Sequence, residues 1–178
     1  MAVTLVYETH STTEDNENGI ATGWRPGRLS QAGRAQAADL GRRRRNDGLS
    51  AVFVSDLHRA VEIVAIAFAD ISIPIHQDGR LRECNYGDLN GCAVDVLAAK
   101  RPLHIDRPFP NGQSYRQVAA ATEAFLKDIK ERWGGARVLV IAHSANRWAL
   151  EYLLTGARLE DLVAAPFHWQ PGWIYTVP

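Results

Sequence analysis

The chain has 178 residues, 46% of them hydrophobic and 22% charged, enough for one well-buried core and ordinary for a soluble globular protein. That excludes a disordered tail, a collagen-like repeat and a disulfide scaffold. Lys+Arg and Asp+Glu are 20 each, so the formal net charge is zero, and binding to nucleic acid or an anionic membrane by bulk electrostatics is not expected.

Val3–Tyr7 opens the pattern as a continuous apolar, β-branched run, the signature of a strand buried on both faces of a parallel sheet. Ser30 is placed to cap a helix running to about Arg45, with Ala35, Ala38 and Leu40 inward. Arg42–Arg45 fall in its last turn, where cations suit the dipole, and read as a solvated face. Ala51–Ser55 is a second buried strand, Arg59–Phe68 a second helix and Ser72–Gln77 a further strand. Residues 84–113, rich in Gly and Pro, read as an insertion that roofs a site. Ser114–Trp133 is the clearest helix: Val118, Thr122, Phe125 and Ile129 recur at spacings of three and four until Gly134-Gly135. Val138–Ala142, Asn146–Thr155 and Trp173–Val177 complete the chain as strand, helix and strand. The alternation predicts one domain over residues 1–178, a three-layer α/β/α sandwich around a mostly parallel sheet.

The first residues lack the basic region of a secretory signal. The longest apolar stretch, Ile63 to Ile75, is interrupted by Asp70 and Pro74. Cys84 and Cys92 match no metal or redox spacing. A cytoplasmic protein with reduced thiols is expected.

Ligands of open α/β sheets gather beyond the carboxyl ends of the strands. There the chain places Thr9-His10-Ser11-Thr12-Thr13, then Asp56-Leu57-His58-Arg59, then His143-Ser144, with Glu83 shortly after the Ser72–Gln77 strand. A neutral imidazole attacks phosphorus without needing a base. A cation and a second His can hold the equatorial oxygens, and a carboxylic acid can protonate the leaving alkoxide. Thr9, Ser11, Thr12, Asn16 and Ser144 are candidates for further phosphate or substrate contacts. No phosphate-binding Gly-Lys loop, dinucleotide fingerprint, His-Glu-x-x-His pair or Gly-x-Ser-x-Gly elbow competes with this reading. His58, His76 and His104 read as solvated, while Trp24, His168 and Trp169 lie in segments that could edge a pocket and meet an organic leaving group.

These motifs resemble the histidine phosphatase superfamily in its phosphoglycerate-mutase-like branch. Thr9-His10-Ser11-Thr12-Thr13-Glu14-Asp15-Asn16 occupies the place of Arg-His-Gly-Glu-Thr-x-x-Asn. Ser55-Asp56-Leu57-x-Arg59-Ala60 resembles Ser-Pro-Leu-x-Arg-Ala. Leu81-Arg82-Glu83 with Tyr86-Gly87, and Val140-Ile141-Ala142-His143, follow in the family's order. The resemblance implies a phosphoglycerate-mutase-like fold. It implies that His10 is phosphorylated, that Arg59 and His143 hold the phosphoryl group and that Glu83 donates a proton. No metal and no organic cofactor is implied. The implied partner is a small-molecule phosphate ester, with no nucleic acid and no membrane; homo-oligomers are frequent among the family's members. The short chain favours a phosphatase over a mutase.

The principal departure is Thr9, where the family carries Arg. It removes a charge-assisted, bidentate phosphate contact, worth a few kcal/mol or roughly 10²-fold in rate in a desolvated site. Arg25 and Arg28 are the nearby cations that could supply the charge. The alternative reading is a weakly active or non-catalytic binder of phosphorylated or other anionic ligands, or a changed reaction on the same scaffold.

Overall fold

The computed structural model describes residues 1–178. In chain order its elements are β1 (Val3–Thr9), α1 (Glu14–Glu17), β2 (Ile20–Ala21), α2 (Gln31–Arg44), β3 (Ala51–Ser55), α3 (His58–Ala67), β4 (Ile75–Asp78), β5 (Cys92–Ala93), α4 (Val94–Lys100), α5 (Tyr115–Arg132), β6 (Arg137–Ala142), α6 (Ser144–Thr155), α7 (Leu159–Ala164) and β7 (Trp173–Val177). The main sheet has the order β4-β3-β6-β1-β7. Its first four strands are parallel, and only β7 runs against its neighbour β1. This is the mostly parallel α/β arrangement expected from the alternation. No helix is long and apolar enough to cross a membrane.

The continuous apolar strands divide their residues between two cores because successive side chains point to opposite faces. Leu5, Tyr7, Phe53 and Val140 meet Phe125, Leu126 and Ile129 of α5 on one side. Val6, Val52, Val54, Leu139 and Ile141 meet Leu40 of α2 and Ala60, Ile63 and Val64 of α3 on the other. Each fully buried aliphatic side chain contributes about 1.5–3 kcal/mol. A third cluster joins the segment after Glu83 to α5, α6 and α7: Cys84, Tyr86, Leu97, Ile105 and Phe109 bury against Tyr115, Val118 and Trp148. Residues 84–113, which carry β5 and α4, thus share a core with α5, α6 and α7.

Several boundaries and faces differ from the sequence reading. The strand expected at Ser72–Gln77 is Ile75–Asp78, an exposed sheet edge. Pro74 has no N–H, but its carbonyl accepts from Val52 N–H (2.9 Å), and the ladder starts after it. Helix α6 begins at Ser144 rather than Asn146. In α2 the buried face is Gly33, Ala37, Leu40 and Gly41, while Ala35 is exposed. Gly33 decides this rotation. A Cβ there would stand 1.8 Å from the Thr12 carbonyl oxygen, so only glycine lets the helix approach the loop after β1 so closely. Arg42–Arg45 are not simply a solvated face either, since Arg43 and Arg44 both reach the buried carboxylate of Glu8.

Candidate active site

Sheet register brings the two histidines together. Thr9 on β1 is opposite Ala142 on β6, and His10 N–H continues the ladder to Ala142 O at 2.8 Å. His10 and His143 are therefore the next residues out of adjacent parallel strands. Their ring centroids lie 5.1 Å apart, tilted by 55°. Strand β3 is β6's other neighbour and delivers Ser55, whose Oγ is 2.8 Å from His143 Nε2.

The hydrogen bonds assign the tautomer of His10. His10 Nδ1 lies 2.8 Å from the Ser11 carbonyl, an acceptor only, so Nδ1 carries the proton and Nε2 keeps a free lone pair. Ser55 Oγ accepts from Leu57 N–H (3.3 Å) and can donate its own proton to His143 Nε2. With Ser55 as donor, the proton of neutral His143 sits on Nδ1, a buried nitrogen with no partner in the protein. The backbone of His143 is fixed as well: its N–H donates to Asn146 Oδ1 (3.2 Å), and its carbonyl accepts from Tyr7 OH.

Arg59, in the first turn of α3, is 1% exposed. Its Nη1 donates to Arg25 O (3.1 Å) and its Nη2 to Gly23 O (2.9 Å), while Nε is unpartnered. The loop curls around it through Gly23, whose φ of +58° suits glycine. Burial first and the Arg59 charge second bring the His10 pKa down to about 4, against the upward pull of the Ser11 carbonyl. Burial, then Arg59, then His10 hold His143 well below the usual imidazole range. Both rings are neutral at pH 7.

Glu83, 7% exposed, follows β4 after the single turn Gly79–Leu81. Burial raises its carboxyl pKa, against the pull of the Cys84 N–H (2.8 Å) and of Arg59. Its backbone is held on both sides. Trp24 Nε1 donates to Glu83 O (2.6 Å), Asn146 Nδ2 donates to Arg82 O (3.1 Å), and the Arg82 guanidinium makes two 2.7 Å bonds to Asp56. Arg82 also stacks over Trp24 at 4.6 Å.

A cleft of about 770 Å³ opens onto His10 and is lined by Thr9, Thr12, Asn16 and Ser144 among the expected residues. Thr9 Oγ1 is buried and has no partner. Ser11 does not line the cleft; it is buried and serves through its carbonyl. Asn16 completes the capping box of α1, its Oδ1 accepting from the N–H of the N-cap Thr13 (3.0 Å). Neither Arg25 nor Arg28 reaches this space. Arg25 lies against Gly91 beside Asn85 and Asp88, and Arg28 lines a depression with Glu14 and Arg34. The cations at the cleft are instead Arg42 and Arg43 of α2. Trp169 lines it, as expected, joined by Phe167 and Gln36, whereas Trp24 and His168 do not. Of the histidines left unassigned, His58 and His76 are exposed, His76 while stacking on Phe53 (5.0 Å), and half-buried His104 stacks on Phe109 (4.0 Å).

Sequence reasoning missed Gln36, Arg43, Ser55, Asn146 and Phe167. Only Ser55 carried a legible signal, as the first residue of the Ser-Asp-Leu-x-Arg-Ala motif. The others depend on how α2, α6 and the C-terminal loop pack.

Comparison with known proteins identifies the family. A model of the histidine phosphatase superfamily (branch 1) matches residues 9–172. The 2,3-bisphosphoglycerate-dependent phosphoglycerate mutase of Methylobacterium sp. (strain 4-46) is 33% identical over 173 residues, spanning 89% of this chain and 83% of that protein. Bacillus stearothermophilus YhfR superposes with a TM-score of 0.84 at 28% identity, over 97% of this chain and 90% of that one. The mycobacterial glucosyl-3-phosphoglycerate phosphatase complexed with VO3 shares the fold, with a TM-score of 0.80 at 22% identity over 92% of this chain and 87% of that one. With the family model covering nearly all of its length, the chain belongs to the histidine phosphatase superfamily, branch 1.

Proposed function

We propose that the protein hydrolyses phosphate monoesters through a phosphohistidine at His10. The observation that carries this reading is the Nδ1 contact of His10 with Ser11 O, which leaves Nε2 as a neutral, unprotonated nucleophile. His10 Nε2 forms the N–P bond as the bond from phosphorus to the ester oxygen breaks. The elevated pKa of Glu83 suits it to deliver its proton to the departing oxygen. Charge on the transferring phosphoryl oxygens meets the Arg59 cation and the unpartnered Nδ1–H of His143. The buried, unpartnered hydroxyl of Thr9 adds one neutral hydrogen bond where the family has a guanidinium. In the second half-reaction water attacks phosphorus, its proton passes to the Glu83 carboxylate, and the N–P bond breaks to release phosphate and the free ring.

Incubation with a panel of phosphomonoesters, quenched in base, is expected to show an acid-labile phosphoryl label on His10 and net phosphate release. Undiminished turnover in His10→Ala would overturn the proposal. A mutase reading has support in the name of the 33% identical relative. It predicts phosphoryl exchange between positions of one phosphoglycerate, dependent on 2,3-bisphosphoglycerate, in place of net hydrolysis.

A further inference from the structure

The cleft that reaches His10 is far larger than a phosphoryl group on a three-carbon chain requires. At about 770 Å³ it falls in the range that encloses a drug-sized ligand. Two large aromatic side chains line it while remaining 50% (Phe167) and 60% (Trp169) exposed. Exposed apolar groups gathered at a concave site mark a place where something binds.

The loop that carries these rings is tied to the nucleophile's own strand. Glu8, 2% exposed and two residues before His10, accepts from Arg44 Nη2 at 2.6 Å, and the same Nη2 donates to Pro171 O at 2.9 Å. Gly172, at φ +98°, completes the contact: a Cβ there would lie 2.2 Å from Arg44 Nη2. One guanidinium therefore holds the Phe167–Trp169 segment in register with β1.

Helix α2 contributes Gln36, Asp39, Arg42 and Arg43 to the same cleft. These groups do not present one sign of charge. Arg43 is engaged by Glu8 (2.6 Å) and Asp39 (3.0 Å), and Arg42 by Asp39 (3.1 Å). A wall of mixed donors and acceptors suits the hydrogen-bonding edge of a planar ring better than a second carboxylate or phosphate, which would need unopposed cations.

We propose that this cleft is the leaving-group subsite, and that the protein takes phosphate monoesters of alcohols bearing a planar aromatic or heteroaromatic ring. The ring stacks on Phe167 and Trp169 and turns its polar edge to α2. The proposal rests on the phosphoryl-transfer reading of His10, and its test separates the two. By calorimetry on the His10→Ala protein, which cannot form the intermediate, 1-naphthyl phosphate is expected to bind at least tenfold more tightly than glycerol 3-phosphate. Adding Trp169→Ala or Phe167→Ala should shrink that ratio toward one. In the enzyme with His10 intact, the same exposed-ring substitutions should lower kcat/KM for 1-naphthyl phosphate tenfold more than for glycerol 3-phosphate. Equal affinities for the two esters, or equal losses on both, would overturn the subsite while leaving phosphohistidine chemistry untouched. Turnover that persists in His10→Ala would overturn the chemistry, and the calorimetric ratio would still decide the subsite.

Discussion

Ser55→Ala isolates the second histidine. Ser55 and His143 are both fully buried, and the 2.8 Å contact between Ser55 Oγ and His143 Nε2 is the only partner either ring nitrogen has. Removing the hydroxyl leaves Nε2 a buried acceptor without a donor, a cost of about 1–3 kcal/mol. At roughly 2–4 °C per kcal/mol for a chain of this size, Tm should fall by roughly 2–12 °C. The catalytic effect is separate. With no donor at Nε2 the proton no longer has a reason to stay on Nδ1, so the ring presents a lone pair to the phosphoryl oxygens for part of the time. Loss of one preorganised donor to developing charge typically costs 10²–10³ in kcat; because the ring stays in place, roughly 10–10²-fold is expected, with little change in KM. Steady-state phosphate release gives the kinetic effect and denaturant unfolding the stability effect. The ¹⁵N shifts of His143 report the tautomer directly. A variant with the expected stability loss, wild-type kcat and an unmoved tautomer would refute the role given to Nδ1–H.

Four further outcomes follow from the geometry. The acid limb of kcat/KM should lie near pH 4, where His10 gains its proton, and not near 6.5, while the raised Glu83 pKa sets the alkaline limb; an acid limb at pH 6.5 would contradict the buried, neutral nucleophile. Stability should also fall as pH drops from 6.5 toward 4, because the unfolded chain binds protons that His10 and His143 refuse. His10 alone is worth about 3 kcal/mol of this at pH 4. Glu83 works in the opposite sense, since its raised pKa favours the folded state at low pH. A His10→Gln variant measured by urea titration should show a flatter pH profile. Thr9→Arg should tighten inhibition by vanadate or inorganic phosphate tenfold or more, by restoring a guanidinium where a lone buried hydroxyl now stands; unchanged inhibition would mean the position does not face the oxyanion. Gly33→Ala should cost about 2–4 kcal/mol, since its Cβ would meet the Thr12 carbonyl oxygen at 1.8 Å. A Tm within 2 °C of wild type, where at least roughly 4 °C is due, would show that α2 can shift freely.

Each central strand was legible because it is buried on both faces and so reads as an unbroken apolar run. Val3–Tyr7, Ala51–Ser55 and Val138–Ala142 all lie within observed strands. The caps were equally local: Ser30 accepts from Gly33 N–H, and Gly156 ends α6 at φ +78°. The edge strand was misplaced because an exposed strand has no comparable pattern. The short α1, α4 and α7 went unread because four to seven residues give too little period to detect. The inward face of α2 was misjudged because a search for apolar residues passes over Gly33 and Gly41, which are buried for having no side chain at all.

By itself the sequence determined the parallel α/β layering and the order in which His10, Arg59, Glu83 and His143 leave it, since both are written in apolar runs and in the residues that follow them. Only the tertiary structure decided which cations line the cleft beside the nucleophile. Arg25 and Arg28 are near Thr9 along the chain, but their loop wraps Arg59 and turns their side chains to other surfaces. Arg42 and Arg43, more than thirty positions away, arrive because two glycines let α2 settle against the loop after β1 and against α3. Close approach of backbones is a property of packed surfaces in three dimensions, and no local pattern of residues records it.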